Sequence, residues 1–166
     1  MMSQTKSLTV DLEREIQVWQ LLKKQFGIPK LTGYRFLKSG QKRIRLISEA
    51  AFNLLSKLPY TGTTGLYIGE YSPNAFRLSM DGAQLLGHRA TKQKVKLTDA
   101  QAQQWLQGES INYEDKQRGY VIVAYNNIIL GCGSLSKGLL RSFVPKIRRL
   151  KTSDSLPGGV NTCQLP

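Results

Sequence analysis

Basic residues gathered in one short stretch are the side chains of this sequence best placed to do chemistry. Six residues between positions 137 and 151 are basic and none is acidic: Lys137, Arg141, Lys146, Arg148, Arg149 and Lys151. Phosphate oxygens are bound by cationic donors, and arginine presents a planar fork that matches two of them. We call this stretch the C-terminal basic segment and expect it to contact phosphates; the alternative is a solvated charged face.

A second basic stretch lies near the N-terminus. Six residues between Lys30 and Ile47 are basic and none is acidic, and three of them, Lys42, Arg43 and Arg45, form a second candidate phosphate patch. The aromatic residues Tyr120, Tyr125 and Phe143 lie close to the C-terminal basic segment in the chain. Aromatic faces can stack on unpaired bases, but core packing is the favoured interpretation for Tyr120 and Phe143.

No combination of residues predicts catalysis. The one histidine, His88, lies in a polar stretch, and there is no glycine motif of the kind that binds nucleotides. The two cysteines predict neither a disulfide framework nor a zinc site. Cys132 lies between apolar residues and is expected to be a buried, inert thiol. We therefore expect no catalytic residue, no metal and no cofactor, and a protein that is not an enzyme.

The overall charge points in the same direction as the two basic stretches. The chain has 166 residues with 24 Lys and Arg against 11 Asp and Glu, a formal net charge of +13. Such an excess attracts polyanions, either nucleic acid or an anionic surface, although it can also serve solubility alone. We find no apolar run that would span a bilayer and no signal-peptide core. We expect a protein that is neither secreted nor membrane-spanning, in a reducing, cytoplasmic setting.

Hydrophobic spacing predicts the elements that carry these residues in the first half. Apolar residues recur at helical spacing from Leu12 to Phe26, with Asp11 as the cap and Gly27 as the stop. Two strands follow, around Tyr34–Leu37 and Arg43–Leu46, and then a helix over Ala50–Ser56. Further strands are predicted at 65–70 and 76–78, and Ser79 is expected to cap a short helix that ends at Gly87.

The second half begins again after a polar stretch, residues 88–94. We place a domain boundary there, with one domain over residues 1–91 and a second over 92–166, of which the end is a loose tail. A strand at 95–97, a helix capped by Thr98 and a loop over 109–118 are predicted. Strands at 120–125 and 128–130 then form a hairpin across Asn126 and Asn127. The glycines on either side of Cys132 indicate a kink or a close approach of the backbone to a neighbour.

Several motifs in this order resemble the C-terminal PUA-like domain of Sun-type RNA cytosine-C5 methyltransferases. The matching positions are Gly65–Gly69, Phe76, Ser79, Ala83, Trp105–Glu109, Gly119–Tyr120, Leu130–Gly133, Lys137–Gly138, Leu140 and Pro145–Arg148. Leu78 stands where that family has proline, and Arg141–Ser142 where it has Lys-Asn. The order is also similar to the small stand-alone PUA-domain factors of large-subunit ribosome biogenesis, whose Phe-Arg-Leu stretch resembles Phe76–Leu78.

The resemblance implies an α+β chain in which an N-terminal α/β pre-PUA domain precedes a C-terminal PUA-like β-pseudobarrel that binds structured RNA. The catalytic domain of the methyltransferases has no counterpart here. The resulting hypothesis is a non-enzymatic RNA-binding protein, with ribosomal RNA as its expected target, that acts in ribosome biogenesis or RNA modification. Its location would be the cytoplasm, or the nucleolus in a eukaryote. The alternative is a protein–protein adaptor, or an accessory subunit of a ribosome-assembly or RNA-modification complex.

Overall fold

The computed structural model of the chain describes residues 11–58 and 63–151. Within them lie four α-helices and two β-sheets, so the α+β class predicted from the sequence is confirmed. No helix in this described part is both long enough and apolar enough to cross a membrane. Residues 1–10 and the predicted loose tail after Lys151, including Cys163, lie outside the described residues.

Helix α1, Leu12–Phe26, has the ends that its sequence predicts. The Asp11 carboxylate accepts a hydrogen bond from the Arg14 N–H at 2.9 Å, and Gly27 ends the helix in the left-handed conformation with φ at 69°. Trp19 on its buried face packs 4.4 Å from the Phe36 ring, centroid to centroid. The apolar stripe predicted from Leu12 to Phe26 thus places Trp19 in the core.

The first sheet contains four antiparallel strands in sequential order. They are β1 (Tyr34–Ser39), β2 (Arg43–Ser48), β3 (Leu66–Ser72) and β4 (Ala75–Leu78). Helix α2, Glu49–Leu55, follows β2 with Ser48 as its cap. Helix α3, Met80–Leu86, follows β4 with Ser79 as its cap and continues into a short 3-10 turn that exposes His88.

The second sheet has five strands and a crossed order, β5-β7-β8-β9-β6. Its strands are β5 (Lys94–Leu97), β6 (Ile111–Asn112), β7 (Gly119–Tyr125), β8 (Ile128–Ser136) and β9 (Leu139–Ser142). Strand β5 is parallel to β7, and the other pairs are antiparallel. The crossover between β5 and β7 contains helix α4, Asp99–Leu106, which begins with a reciprocal cap between Thr98 and Gln101.

Strands β7 and β8 lie between two hydrophobic cores. On one face, Ile122, Ala124, Ile129 and Cys132 join the core formed by α1, α3 and the first sheet. On the other face, Val121, Val123, Leu130 and Leu135 pack with Trp105 of α4. The residues before and after the predicted boundary at 91 and 92 thus share one core, and that boundary stays a prediction.

The second half of the hairpin is longer than its sequence predicts. The strand at 128–130 continues to Ser136, because Gly131 and Gly133 stay in the ladder with β7. A Cβ on Gly131 would lie 2.9 Å from the Trp105 ring, so this glycine permits a close approach of the backbone to α4. Strands β6 and β9 were not predicted, and β6 lies in the stretch expected to be a loop.

Candidate nucleic-acid interface

The turn between β8 and β9 presents the first cation of the C-terminal basic segment. Lys137 and Gly138 both have positive φ, 51° and 74°, as a two-residue type I′ turn requires. The turn places Lys137 at the exposed end of the hairpin. On β9, Leu140 is buried in the second core and the next residue, Arg141, is exposed.

After β9 the chain returns across the end of α4. Val144 is buried in the second core, and the Leu150 N–H donates to the Leu106 carbonyl at 3.1 Å. Between these two attachments, the 3-10 turn Lys146–Arg148 faces outward, and the Ile147 side chain is 93% exposed. The basic segment is therefore anchored at both ends and presents its middle to solvent.

Arg148 is paired within the protein. Its two terminal nitrogens donate to the two carboxylate oxygens of Asp81, at 2.5 and 3.2 Å. The hydrogen bonds and charge of Asp81 raise the pKa of Arg148, so this guanidinium stays charged. The sequence of the segment contains no acidic residue, but the fold brings an aspartate from the first turn of α3 to it.

Arg149 is also held by its own chain. Its Nε donates to the Val144 carbonyl at 3.3 Å, and its guanidinium lies over Gly108, in the space that a Cβ there would occupy. Gly108 has φ at +88°, a conformation that favours glycine. Lys146 and Lys151 lie exposed on either side of this pair of arginines.

The second candidate patch lies on the first sheet, where one of its cations is opposite an acidic residue in the strand register. Lys42 and Arg43 are exposed, but Arg43 pairs in register with Glu70 of β3. Arg45 is half-buried, and its Nη1 donates to the Gly65 carbonyl at 2.8 Å. The three residues are neighbours on β2 and its preceding turn, and the structure places them on a different sheet from the C-terminal basic segment.

A row of side chains leads from this patch towards the second sheet. The register places Glu70 opposite Arg77, and their ion pair is 2.9 Å long. The Arg77 guanidinium carbon then lies 5.3 Å from the centroid of the Phe143 ring. Asp81 and Arg77 are the site residues missed by the sequence reasoning. Each lies outside both basic stretches, and the sequence signal for Arg77 was its place in the Phe-Arg-Leu stretch at Phe76–Leu78.

The aromatic and sulfur residues behave as expected from their sequence context. Tyr120 and Phe143 are half-buried against the first core, with ring centroids 6.1 Å apart. Cys132 is buried, and that burial raises the pKa of its thiol to about 12. Tyr125 is buried in the second core. As expected, Tyr120 and Phe143 pack against the first core, although each ring keeps a part open to solvent, and Cys132 is buried.

Comparison with known proteins identifies the part of the chain that carries this surface. The family model described as the methyltransferase RsmF PUA domain matches residues 92–150, which include β5 to β9 and all of the basic segment except Lys151. No curated protein matches the chain. The predicted resemblance to the PUA domains of Sun-type methyltransferases is confirmed for this C-terminal part. PUA domains are generally RNA-binding and are not catalytic, which supports RNA as a partner.

Proposed function

We propose that this chain is a non-enzymatic RNA-binding protein that holds ribosomal RNA during ribosome biogenesis or RNA modification. One observation carries the proposal: the part that matches a PUA domain exposes Lys137, Arg141 and Lys146 on one hairpin and the segment that follows it. Phosphate contacts of this kind supply most of the affinity for RNA and position the protein on it.

The geometry divides the nine predicted cations by role. Lys137, Arg141 and Lys146 have no ion pair within the described residues, so we assign the direct phosphate contacts to them. Arg148 and Arg149 hold the segment in place through Asp81 and Val144. We assign Lys151, Lys42 and Arg43 to the margin of the interface. Arg45 donates to the Gly65 carbonyl, and we assign it a structural role in holding β2.

The organisation that accompanies this proposal is a pre-PUA part over residues 1–91 and a PUA part over 92–166. The start of the matched region at Lys92 and the polar composition of residues 88–94 support it. A role with ribosomal RNA would place the protein in the cytoplasm, or in the nucleolus if the source is a eukaryote.

The test is a salt series with the purified chain, structured fragments of ribosomal RNA and an unrelated RNA duplex. For each tenfold increase in salt concentration, the logarithm of the affinity falls by roughly 0.7 for every phosphate that the protein neutralises on a single strand. The corresponding fall on B-form DNA is about 0.9. We expect the double variant Arg141→Ala, Lys146→Ala to bind more weakly and to have a slope smaller by about 1.4, for two single-strand contacts.

The matched control is Lys38→Ala with Lys57→Ala, which also removes two exposed cations, but outside the C-terminal basic segment. Its salt slope should stay close to that of the wild type. Equal slopes for wild type and double variant would refute the assignment of the contacts. Equal, weak affinity for every RNA would refute a specific RNA target.

A protein–protein adaptor is the second candidate, and the exposure of Ile147 favours it. An isoleucine that is 93% exposed between Lys146 and Arg148 is suited to insertion into an apolar pocket of a partner. Affinity capture from cells, followed by nuclease digestion and a high-salt wash, separates the two hypotheses. A partner retained by the wild type and lost from Ile147→Ser would support the adaptor.

A further inference from the structure

We propose a second RNA site, specific for a single-stranded segment, in a groove between helix α1 and strand β7. The proposal deepens the function proposed above and rests on it. The groove has a volume of about 520 Å³, and its lining includes Lys24, Gln25, Lys92, Gln93, Arg118 and Tyr120. Its volume lies within the range of small-ligand sites and suits one or two nucleotides.

The charge of the groove comes from three elements distant in sequence. Lys24 lies on α1, Lys92 on the segment before β5, and Arg118 immediately before β7. None of the three has an ion pair among the described residues, and no carboxylate lines the groove. Converging cations in a concave site raise the local concentration of phosphate groups. Neither basic stretch of the sequence contains any of these residues.

The walls of the groove are tied together by backbone hydrogen bonds. The Gln25 amide bonds both backbone groups of Phe76, with its Oε1 accepting from the N–H at 3.0 Å and its Nε2 donating to the carbonyl at 3.2 Å. The N–H groups of Thr91 and Lys92 both donate to the Phe26 carbonyl at 3.0 Å. Helix α1, strand β4 and the segment before β5 are therefore fixed relative to one another.

The fourth wall is held by Gln93. Its side-chain nitrogen donates to the Arg118 carbonyl at 2.7 Å, and its own carbonyl accepts from the Ile122 N–H at 2.7 Å. Gln93 has φ at 52°, an uncommon conformation for a residue other than glycine. Such a preformed groove loses little conformational freedom when it binds a ligand.

Tyr120 connects the groove to the basic surface of the second sheet. The register places Tyr120 of β7 opposite Ser134 of β8, and Ser134 opposite Arg141 of β9. Adjacent strands lie about 4.8 Å apart, so Arg141 is roughly 10 Å from Tyr120 on the same face. A strand of RNA that leaves the groove over Tyr120 would reach the cation assigned above to phosphate contact.

The chemistry of the lining selects a single strand. Phosphates would pair with Lys92 and Arg118, and an unpaired base would lie against the half-buried ring of Tyr120. Aromatic rings stack on unpaired bases regardless of sequence, whereas the bases of a duplex are already stacked on one another. We therefore expect a preference for single strands over duplex at this site.

The first test uses a labelled hexauridylate and fluorescence anisotropy. Charge reversal by Lys92→Glu with Arg118→Glu should weaken binding at least about tenfold, because two phosphate contacts become repulsive. The control Lys38→Glu with Lys57→Glu changes the net charge equally at exposed positions outside the groove, and should cost less than about threefold. Equal losses in both variants would overturn the proposal.

The second test concerns the stacked base. Tyr120→Leu keeps an apolar side chain and should weaken hexauridylate binding by about fivefold or more, the lower end of the measured range for base stacking. In the wild type, an abasic version of the oligonucleotide should bind correspondingly more weakly. Equal affinity for the abasic and the normal oligonucleotide would overturn stacking on Tyr120 without requiring any variant to fold.

A comparison with structured RNA separates this proposal from the function on which it rests. In one outcome, Arg141→Ala with Lys146→Ala weakens the binding of structured RNA, whereas charge reversal in the groove changes the affinity for neither RNA. The protein then binds RNA, but the groove is not a site. If no variant changes the affinity for any RNA, both the groove and the proposed function are wrong.

Discussion

Arg148 and Asp81 lie 67 positions apart in the chain and form a two-pronged ion pair on the surface of the protein. The pair attaches the C-terminal basic segment to the first turn of α3, a helix that packs between the two sheets. It also cancels one of the six positive charges that the segment carries. The electrostatic surface that the protein offers is therefore not the one that the local sequence predicts.

Asp81→Asn tests this relationship directly. Since the side chains of Arg148 and Asp81 are 45% and 34% exposed, loss of the pair should lower the free energy of unfolding by only about 0.5 kcal/mol. The released guanidinium becomes available to phosphate, so the affinity for RNA should rise by about threefold. Urea titration and RNA titration at one salt concentration measure the two effects. A fall in affinity would show that Asp81 positions Arg148 for binding.

Glu15→Gln should be clearly destabilising. The buried Glu15 carboxylate accepts from the Phe36 N–H at 3.1 Å on the edge strand β1 and pairs with the Arg35 guanidinium at 3.1 Å. Neutralising it leaves Arg35 without its partner, and we expect a loss of about 2 kcal/mol in unfolding free energy, discounted because Arg35 is partly exposed. The matched control is Glu13→Gln on the exposed face of α1, where a loss above about 0.5 kcal/mol would contradict this reasoning.

Gly82→Ala should reverse the usual effect of this substitution in a helix. Alanine normally stabilises a helix relative to glycine by about 0.5–1 kcal/mol. Here a Cβ on Gly82 would overlap the backbone carbonyl of Ile68, so α3 would have to move away from β3. We expect a net loss of about 2 kcal/mol, measured by thermal or urea unfolding. Leu85→Ala, at an exposed position of the same helix, is the control and should change stability by less than about 1 kcal/mol.

Cys132 should resist alkylation in the folded protein. Its thiol is buried, and burial raises its pKa from 9.0 to about 12, so little thiolate forms at pH 8. In a Cys163→Ser background, we expect iodoacetamide to label Cys132 only after denaturation, as measured by mass spectrometry. Rapid labelling of the native protein would contradict its position in the core.

The same shift makes stability depend on alkaline pH. Between pH 9.0 and about 12, the folded state retains the Cys132 thiol proton that the unfolded state releases. The contribution of the buried neutral thiol to the free energy of unfolding is therefore complete below pH 9.0 and is lost as the pH rises towards about 12. Cys132→Ala should flatten the decline of stability across that window relative to the wild type. An identical decline in both proteins would show that other groups account for it.

Much of the first half of the fold could be predicted from the sequence because its signals are local. Asp11 and Gly27 bound an apolar stripe of helical spacing, and the helix between them is present. Strand β9 was missed, because a four-residue edge strand with Arg141 and Ser142 has no clear apolar alternation. The sequence did not predict that β8 extends through Gly133. The glycines of this strand make room for Trp105, a residue far away in the chain, so the sequence around them gives no sign of that contact.

The sequence by itself determined the class of the fold, the excess of positive charge, and the order of motifs that resembles a PUA domain in the C-terminal part. These follow from residue type and spacing along the chain. Only the tertiary structure decided which cations are available to a ligand. Asp81 neutralises Arg148, and Lys24, Lys92 and Arg118 converge in one groove. Electrostatic interactions depend on distance in space, and the crossed order of the second sheet brings together residues that the sequence keeps far apart.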